Sequence, residues 1–243
     1  MRDALATIEH ARRADLVDLG GNAVVLELGP PAPPDAIAAL EAERGFPLPR
    51  ELRSLLGRAA TFEGLPMYVD FSGGFPFEYE PGFPAGLPIA ADGFGNFWVA
   101  DLTPQDVDTV PVFYAAHDPP VILFQSASVG DFLHELFRMF VRPHESAVDA
   151  VHDDRPFSVW SRNPGLVAQA DALASDDAAI RAFASELDER FVLVDLREAD
   201  VGMGFSWGRH GADTEVRRHG YERLFAYAKP VRGPGLLGRF RRR

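Results

Sequence analysis

The sequence predicts an α+β fold, a mainly antiparallel sheet covered by helices with a smaller C-terminal α+β unit behind it. Three observations predict it. Between Leu87 and Phe124, β-branched and aromatic runs alternate with clusters of turn formers. Ser128 to Phe140 is strongly amphipathic at helical spacing. After Val141 the pattern changes, and a second set of short helices and strands begins.

Taken in order, Leu5, Ile8, Leu16 and Leu19 stand among charges and predict an N-terminal helix ending at Gly20-Gly21, with a strand over Ala23 to Leu28. Pro30 to Pro34 is a stiff connector that offers few N–H donors. A helix restarts at Asp35 with Ile37 and Leu40 inward, and Gly45 is placed to end it. Pro49 suits the first turn of the next helix, whose buried face is Leu52, Leu55 and Leu56.

Residues 62–86 mix Phe62, Tyr68, Phe71, Phe75, Phe77, Tyr79 and Phe83 with four prolines and several glycines. Proline forbids a long helix and weakens a central strand, so this stretch is expected to be a long loop with one strand at Met67 to Phe71. Its rings either plug the core or form a patch facing a partner.

In the centre, Asp92-Gly93-Phe94-Gly95-Asn96 joins a strand at Ile89–Ala91 to one at Phe97–Ala100. Val110–Tyr114 and Val121–Phe124 predict a hairpin with His117-Asp118 at its tip. Ser128 and Asp131 form a capping-box-like pair at the start of the next helix, whose apolar residues include Leu133 and Phe137. Trp98, Val112, Ile122, Leu133 and Phe137 are expected to be buried together. Farther on, Arg142 to Arg155 reads as a polar connector and Phe157–Trp160 as a strand. Leu166–Leu173 and Asp176–Leu187 read as helices with Ser175 as a cap between them. Phe191–Leu196, Val201–Trp207 and Tyr221–Ala228 read as strands, the last two separated by a polar loop at 208–220.

The segment Ile37 to Leu56 with its Gly-Phe-Pro-Leu-Pro centre, then Leu87-Pro-Ile-Ala90, the Gly-rich turn, Asp101-Leu102, Pro111-Val-Phe-Tyr114 and Ser126 to Phe132, resembles the SUKH superfamily. That Smi/Knr-type family includes fungal cell-wall-synthesis regulators and bacterial immunity proteins against secreted polymorphic toxins. The resemblance covers about residues 34–141 and departs from the family at Gly57–Gly64, where an aromatic-Asn-Gly-Gly-like turn is usual. It implies a SUKH-like domain at 30–145; the residue pattern outside it reads as an N-terminal extension at 1–29, an accessory α+β unit at 146–230 and a basic tail at 231–243. It also implies a function by protein binding.

Composition bounds the partners. Of 243 residues, 47% are hydrophobic, ample for a core. The absence of cysteine excludes disulfides, thiol catalysis and thiolate-bound metal and fits a reducing cytoplasm. No signal-like or membrane-length apolar run is visible. Residues 1–150 carry nine arginines and no lysine against 22 acidic residues, a balance of −13 within the chain's −12. That front half is unsuited to phosphate backbones and suited to a basic protein.

The seven histidines and the aspartates compose no catalytic motif. There is no His-Glu-x-x-His, nucleophile elbow, phosphate loop or dinucleotide fingerprint. His117-Asp118 reads as a solvated turn, Asp92 and Asp101 as residues that close turns, and Asp106 and Asp108 as members of a loop begun by Pro104. The sequence therefore predicts no catalytic residue, no metal site and no cofactor. The favoured function, which the resemblance to the SUKH superfamily implies, is a cytoplasmic, non-catalytic immunity protein that covers a basic toxin. A regulatory scaffold is the second reading, and a hydrolase using Asp92 or His117 the third. The partner-binding residues are expected to be Phe75, Phe77, Glu78, Tyr79, Asp92, Phe94, Asn96, His117 and Asp118.

Overall fold

The computed structural model describes residues 2–76, 82–103, 108–162, 165–211 and 213–230. Phe77, Glu78, Tyr79, Asp106 and the basic tail lie outside them. The elements run α1 (Ala4–Ala11), β1 (Glu27–Leu28), α2 (Pro34–Arg44), α3 (Arg50–Leu56), β2 (Thr61–Glu63), β3 (Tyr68–Asp70), β4 (Gly86–Ala91), β5 (Phe97–Asp101), β6 (Val112–His117), β7 (Pro120–Ser126) and α4 (Val129–Arg138). They continue with α5 (Ala147–Asp149), a π-helical turn (Ala150–Asp154), α6 (Arg155–Arg162), β8 (Leu166–Ala168), α7 (Gln169–Leu173), α8 (Ala178–Ser185), β9 (Phe191–Asp195), β10 (Gly204–Phe205), β11 (Val216–Arg218) and β12 (Leu224–Ala228).

The strands make two antiparallel sheets, one of eight strands in the order β1-β2-β3-β4-β5-β6-β7-β10 and one of four in the order β11-β12-β9-β8. Alternation along the strands sends side chains to opposite faces. Trp98, Val112, Tyr114 and Leu123 point to the face covered by α1, α3 and α4, where Leu52, Phe132, Leu133 and Phe137 meet them. Val99, Phe113, Ile122 and Phe124 point the other way and pack against Val192, Val194, Phe225 and Tyr227 of the smaller sheet. The far face of that sheet is closed by α7 and α8 through Ala172, Phe183 and Ala184. The fold is therefore α+β in four layers: helices, large sheet, small sheet, helices.

Ile122 is thus buried, but on the opposite face from Trp98, Val112, Leu133 and Phe137. On a fully buried strand both faces are apolar, so composition alone does not assign the side. The N-terminal helix stops at Ala11, because the Val17 N–H donates to Phe140 O and Val17 bridges Ala23. Only Glu27–Leu28 of the expected 23–28 strand pairs in the sheet. Two strands, β2 and β3, occupy the aromatic segment, where one was expected. The N-cap of α3 is Pro49 itself.

Phe157–Trp160 is helical although its residues favour strands. Val148, Val151, Val159 and the half-buried Trp160 stand at helical spacing on one side of the continuous α5–π–α6 segment and pack on the helical face of the large sheet. Leu166–Ala168 is a strand because it pairs with β9, and only Gln169–Leu173 of that segment is helical. The cap of α8 is Asp177, not Ser175; the Asp177 carboxylate accepts from the N–H groups of Ala179 and Ile180. The polar loop 208–220 contains β11, and of Val201–Trp207 only Gly204–Phe205 is strand. Gly204 is required there, since a Cβ would lie 1.9 Å from the Ile122 carbonyl oxygen of β7.

Candidate functional site

The central turn is built by its own side chains. Asp92 Oδ1 accepts from the N–H groups of Phe94 (2.8 Å) and Asn96 (3.2 Å), and Oδ2 accepts from Asn96 Nδ2 at 2.6 Å. Gly93 and Gly95 have φ of 82° and 92°, the left-handed region that side-chain-bearing residues avoid. Both also fit tightly, with Gly93 against the Tyr68 ring and Gly95 against the His117 ring. Asn96 Oδ1 in turn accepts from the His117 N–H at 3.1 Å, tying the turn to the β6–β7 hairpin tip. This scaffold leaves the Phe94 ring 80% exposed.

The α5–π–α6 segment approaches the same turn. His152 Nε2 lies 3.2 Å from Asp92 Oδ2 and Nδ1 lies 2.5 Å from Asp153 Oδ1. Its ring stacks on Trp98 at 5.8 Å and meets Tyr114 edge-on at 5.6 Å. Both ring nitrogens donate to these carboxylates when the imidazole is protonated, so neither is aimed at a hydroxyl. Burial pushes the Asp92 carboxyl up, but hydrogen bonds from Asn96, the Phe94 N–H and His152 outweigh it and hold the group below the ordinary carboxylate range. Burial, then the nearby charge of Asp153, pushes the Asp149 carboxyl up.

Together these pieces frame an open cleft of about 310 Å³, with Phe94, Asn96, Asp118, His152, Asp153 and Phe157 on its walls and Tyr114 below. Phe157 is 67% exposed although its helix neighbours Pro156 and Val159 are buried. Tyr68, against the back of the turn, is also largely exposed.

The structure brings Asp92, Phe94, Asn96, His117 and Asp118 together at this end of the sheet. It places Phe75 elsewhere: that ring sits 6.0 Å from Phe97 and lines a different cavity with Arg44, Phe83 and Pro84. Phe62, Phe71 and Phe83 are buried in the core. Sequence reasoning missed His152, Asp153 and Phe157. The available signal was the helical spacing of Val148, Val151 and Val159, which groups them on one face and leaves Phe157 off it.

Asp101 does not close a turn. It is buried and held by Arg218 of β11, with both N–O distances at 2.7 Å. Asp108 is an exposed partner of Arg50. Among the described residues no group of His, Asp and Glu has the arrangement of a metal site, and no helix is long and apolar enough to cross a membrane.

Against known families, residues 31–135 match the model of the SMI1 / KNR4 family (SUKH-1). The search of curated proteins gave no match. The matched span contains α2 to β7, the Asp92 turn and most of α4, which are the elements that carry Phe94, Asn96, His117 and Asp118. Residues 31–135, a little under half of the chain, are thus similar to the SMI1 / KNR4 family (SUKH-1).

Proposed function

We propose that the protein is a non-catalytic immunity protein that neutralises a cognate bacterial toxin by covering it, and that it acts in the cytoplasm. The observation that carries this reading is the pair Phe94 and Phe157, both exposed and both on one cleft bordered by Asp92, Asp118 and Asp153. Exposed rings contribute little to the fold, whereas aromatic anchors ringed by polar groups are what a specific interface requires. The −13 balance of residues 1–150 adds a field that draws in a basic partner. A full interface would bury on the order of 1,600 Å², so Tyr68, Asn96 and His117 fall within it as well. The accessory unit at 146–230 then has a defined part, since it delivers His152, Asp153 and Phe157 to the same cleft.

The test is co-expression with the product of the neighbouring open reading frame. That product alone should arrest growth, and this protein should restore growth and co-elute with it as a stable complex. Phe94→Ala with Phe157→Ala should abolish both effects while the variant stays folded. A harmless neighbour, or full rescue by the double variant, overturns the reading.

A further inference from the structure

We propose that the cleft between Phe94 and Phe157 is a subsite for one cationic side chain, an arginine or lysine of the protein partner. This rests on the reading of the patch as a protein interface and names the chemistry of its centre. Among the described residues no arginine or lysine lines the cleft, whereas three carboxylates do: Asp92, Asp118 and Asp153. Asp92 is occupied by its own turn and by His152. Asp118 makes no ion pair with any described residue, and Asp153 is 67% exposed beside His152. An apolar group inserted here would strip water from these carboxylates without replacing it, and an anion would be repelled. A cation answers both carboxylates, and its flat or methylene part can lie against the two phenyl rings.

The size agrees. A cleft of about 310 Å³ takes one long side chain and no folded segment. The same molecule already uses this pairing three positions along α6, where the Arg209 guanidinium lies 5.6 Å from the Trp160 ring. The subsite is also composite. Phe94 and Asp118 come from the SUKH segment, and Asp153 and Phe157 from the chain beyond it. Substitution at 153 or 157 therefore changes partner preference without touching the SUKH segment.

The experiment is a titration of the full, ¹⁵N-labelled chain with N-acetyl-arginine amide, followed by amide chemical shifts, with N-acetyl-citrulline amide as the neutral isostere. Saturable shifts are expected at residues 92–96, 117–118 and 152–157, with citrulline binding at least fivefold more weakly. Phe157→Ala should weaken arginine binding about two- to fivefold, and Asp118→Asn and Asp153→Asn by a similar factor each. Absence of saturable shifts at these residues, or equal binding of citrulline, overturns the proposal. No protein partner enters the titration, so its failure with growth rescue intact removes the subsite and leaves the interface. Success without rescue removes the toxin and leaves the subsite.

Discussion

Arg218 and Asp101 form a bidentate ion pair whose side chains are 2% and 1% exposed. It joins β11 of the small sheet to the end of β5 in the large one. The guanidinium is fully engaged, donating also to the carbonyls of Gly82, Tyr221 and Glu222 and lying 5.1 Å from the Phe225 ring. Burial pushes the Asp101 carboxyl up, and the Arg218 hydrogen bonds and charge pull against it. The pair links the two sheets, and the desolvation of both charges offsets much of its Coulombic gain.

Removing one partner leaves the other charged and buried. Arg218→Met is expected to destabilise the protein by about 3–5 kcal/mol, measured by urea unfolding. Pairing it with Asp101→Leu should recover much of the loss. A loss below about 1 kcal/mol for the single change would show that the pair behaves as a surface contact.

Leu133 of α4 is fully buried beneath the large sheet. Leu133→Ala should cost about 2–5 kcal/mol by thermal or chemical unfolding. Leu133 does not line the cleft, so binding by the surviving folded fraction should be retained.

Asp92 provides the pH test. Its folded carboxyl lies below its ordinary value of 3.8, so its contribution is present above that value and is lost as pH falls through the depressed one. The melting-temperature gap between the wild type and Asp92→Asn should be steady down to about pH 5 and narrow on further acidification. Glu51 has the opposite sign. Burial raises it despite three backbone N–H donors from Gly130, Val129 and Val110, so Glu51→Gln should be least costly at high pH.

The exposed rings separate folding from binding. Phe94→Ala and Phe157→Ala should each change stability by less than about 0.5 kcal/mol. Charge reversal belongs at Asp118 and Asp153, because Asp92 holds its own turn. Asp118→Lys with Asp153→Lys should slow association with the partner, and the wild-type rate should fall as salt rises.

Much of this was legible in the residues. The Asp92–Asn96 turn, the β6–β7 hairpin, the α4 cap at Ser128 and the left-handed Gly45 closing α2 rest on local chemistry that a sequence displays. The turn and the hairpin tip are one half of the cleft. The other half depends on packing over long separations. His152 is one histidine among seven until Trp98 and Asp92 are seen beside it, and Phe157 reads as strand because its neighbours Val159 and Trp160 favour strands in isolation. Asp101 looked like a turn residue because nothing at position 101 reveals an arginine more than a hundred positions later.

The two-residue strand β10 has a consequence for how the chain is made. Gly204 and Phe205 cover β7 by pairing with Leu123 and Ile122, which leave the ribosome roughly eighty residues earlier. At ordinary synthesis rates of about 5–20 residues per second, the nascent large sheet stands for several seconds with β7 as a bare edge. Its second face, bearing Phe113, Ile122 and Phe124, is uncovered over the same interval. Such an edge is a template for pairing with a neighbouring copy. A chain cut after residue 145 would keep the SUKH segment and make that interval permanent, so the fragment is expected to self-associate more strongly than the whole protein.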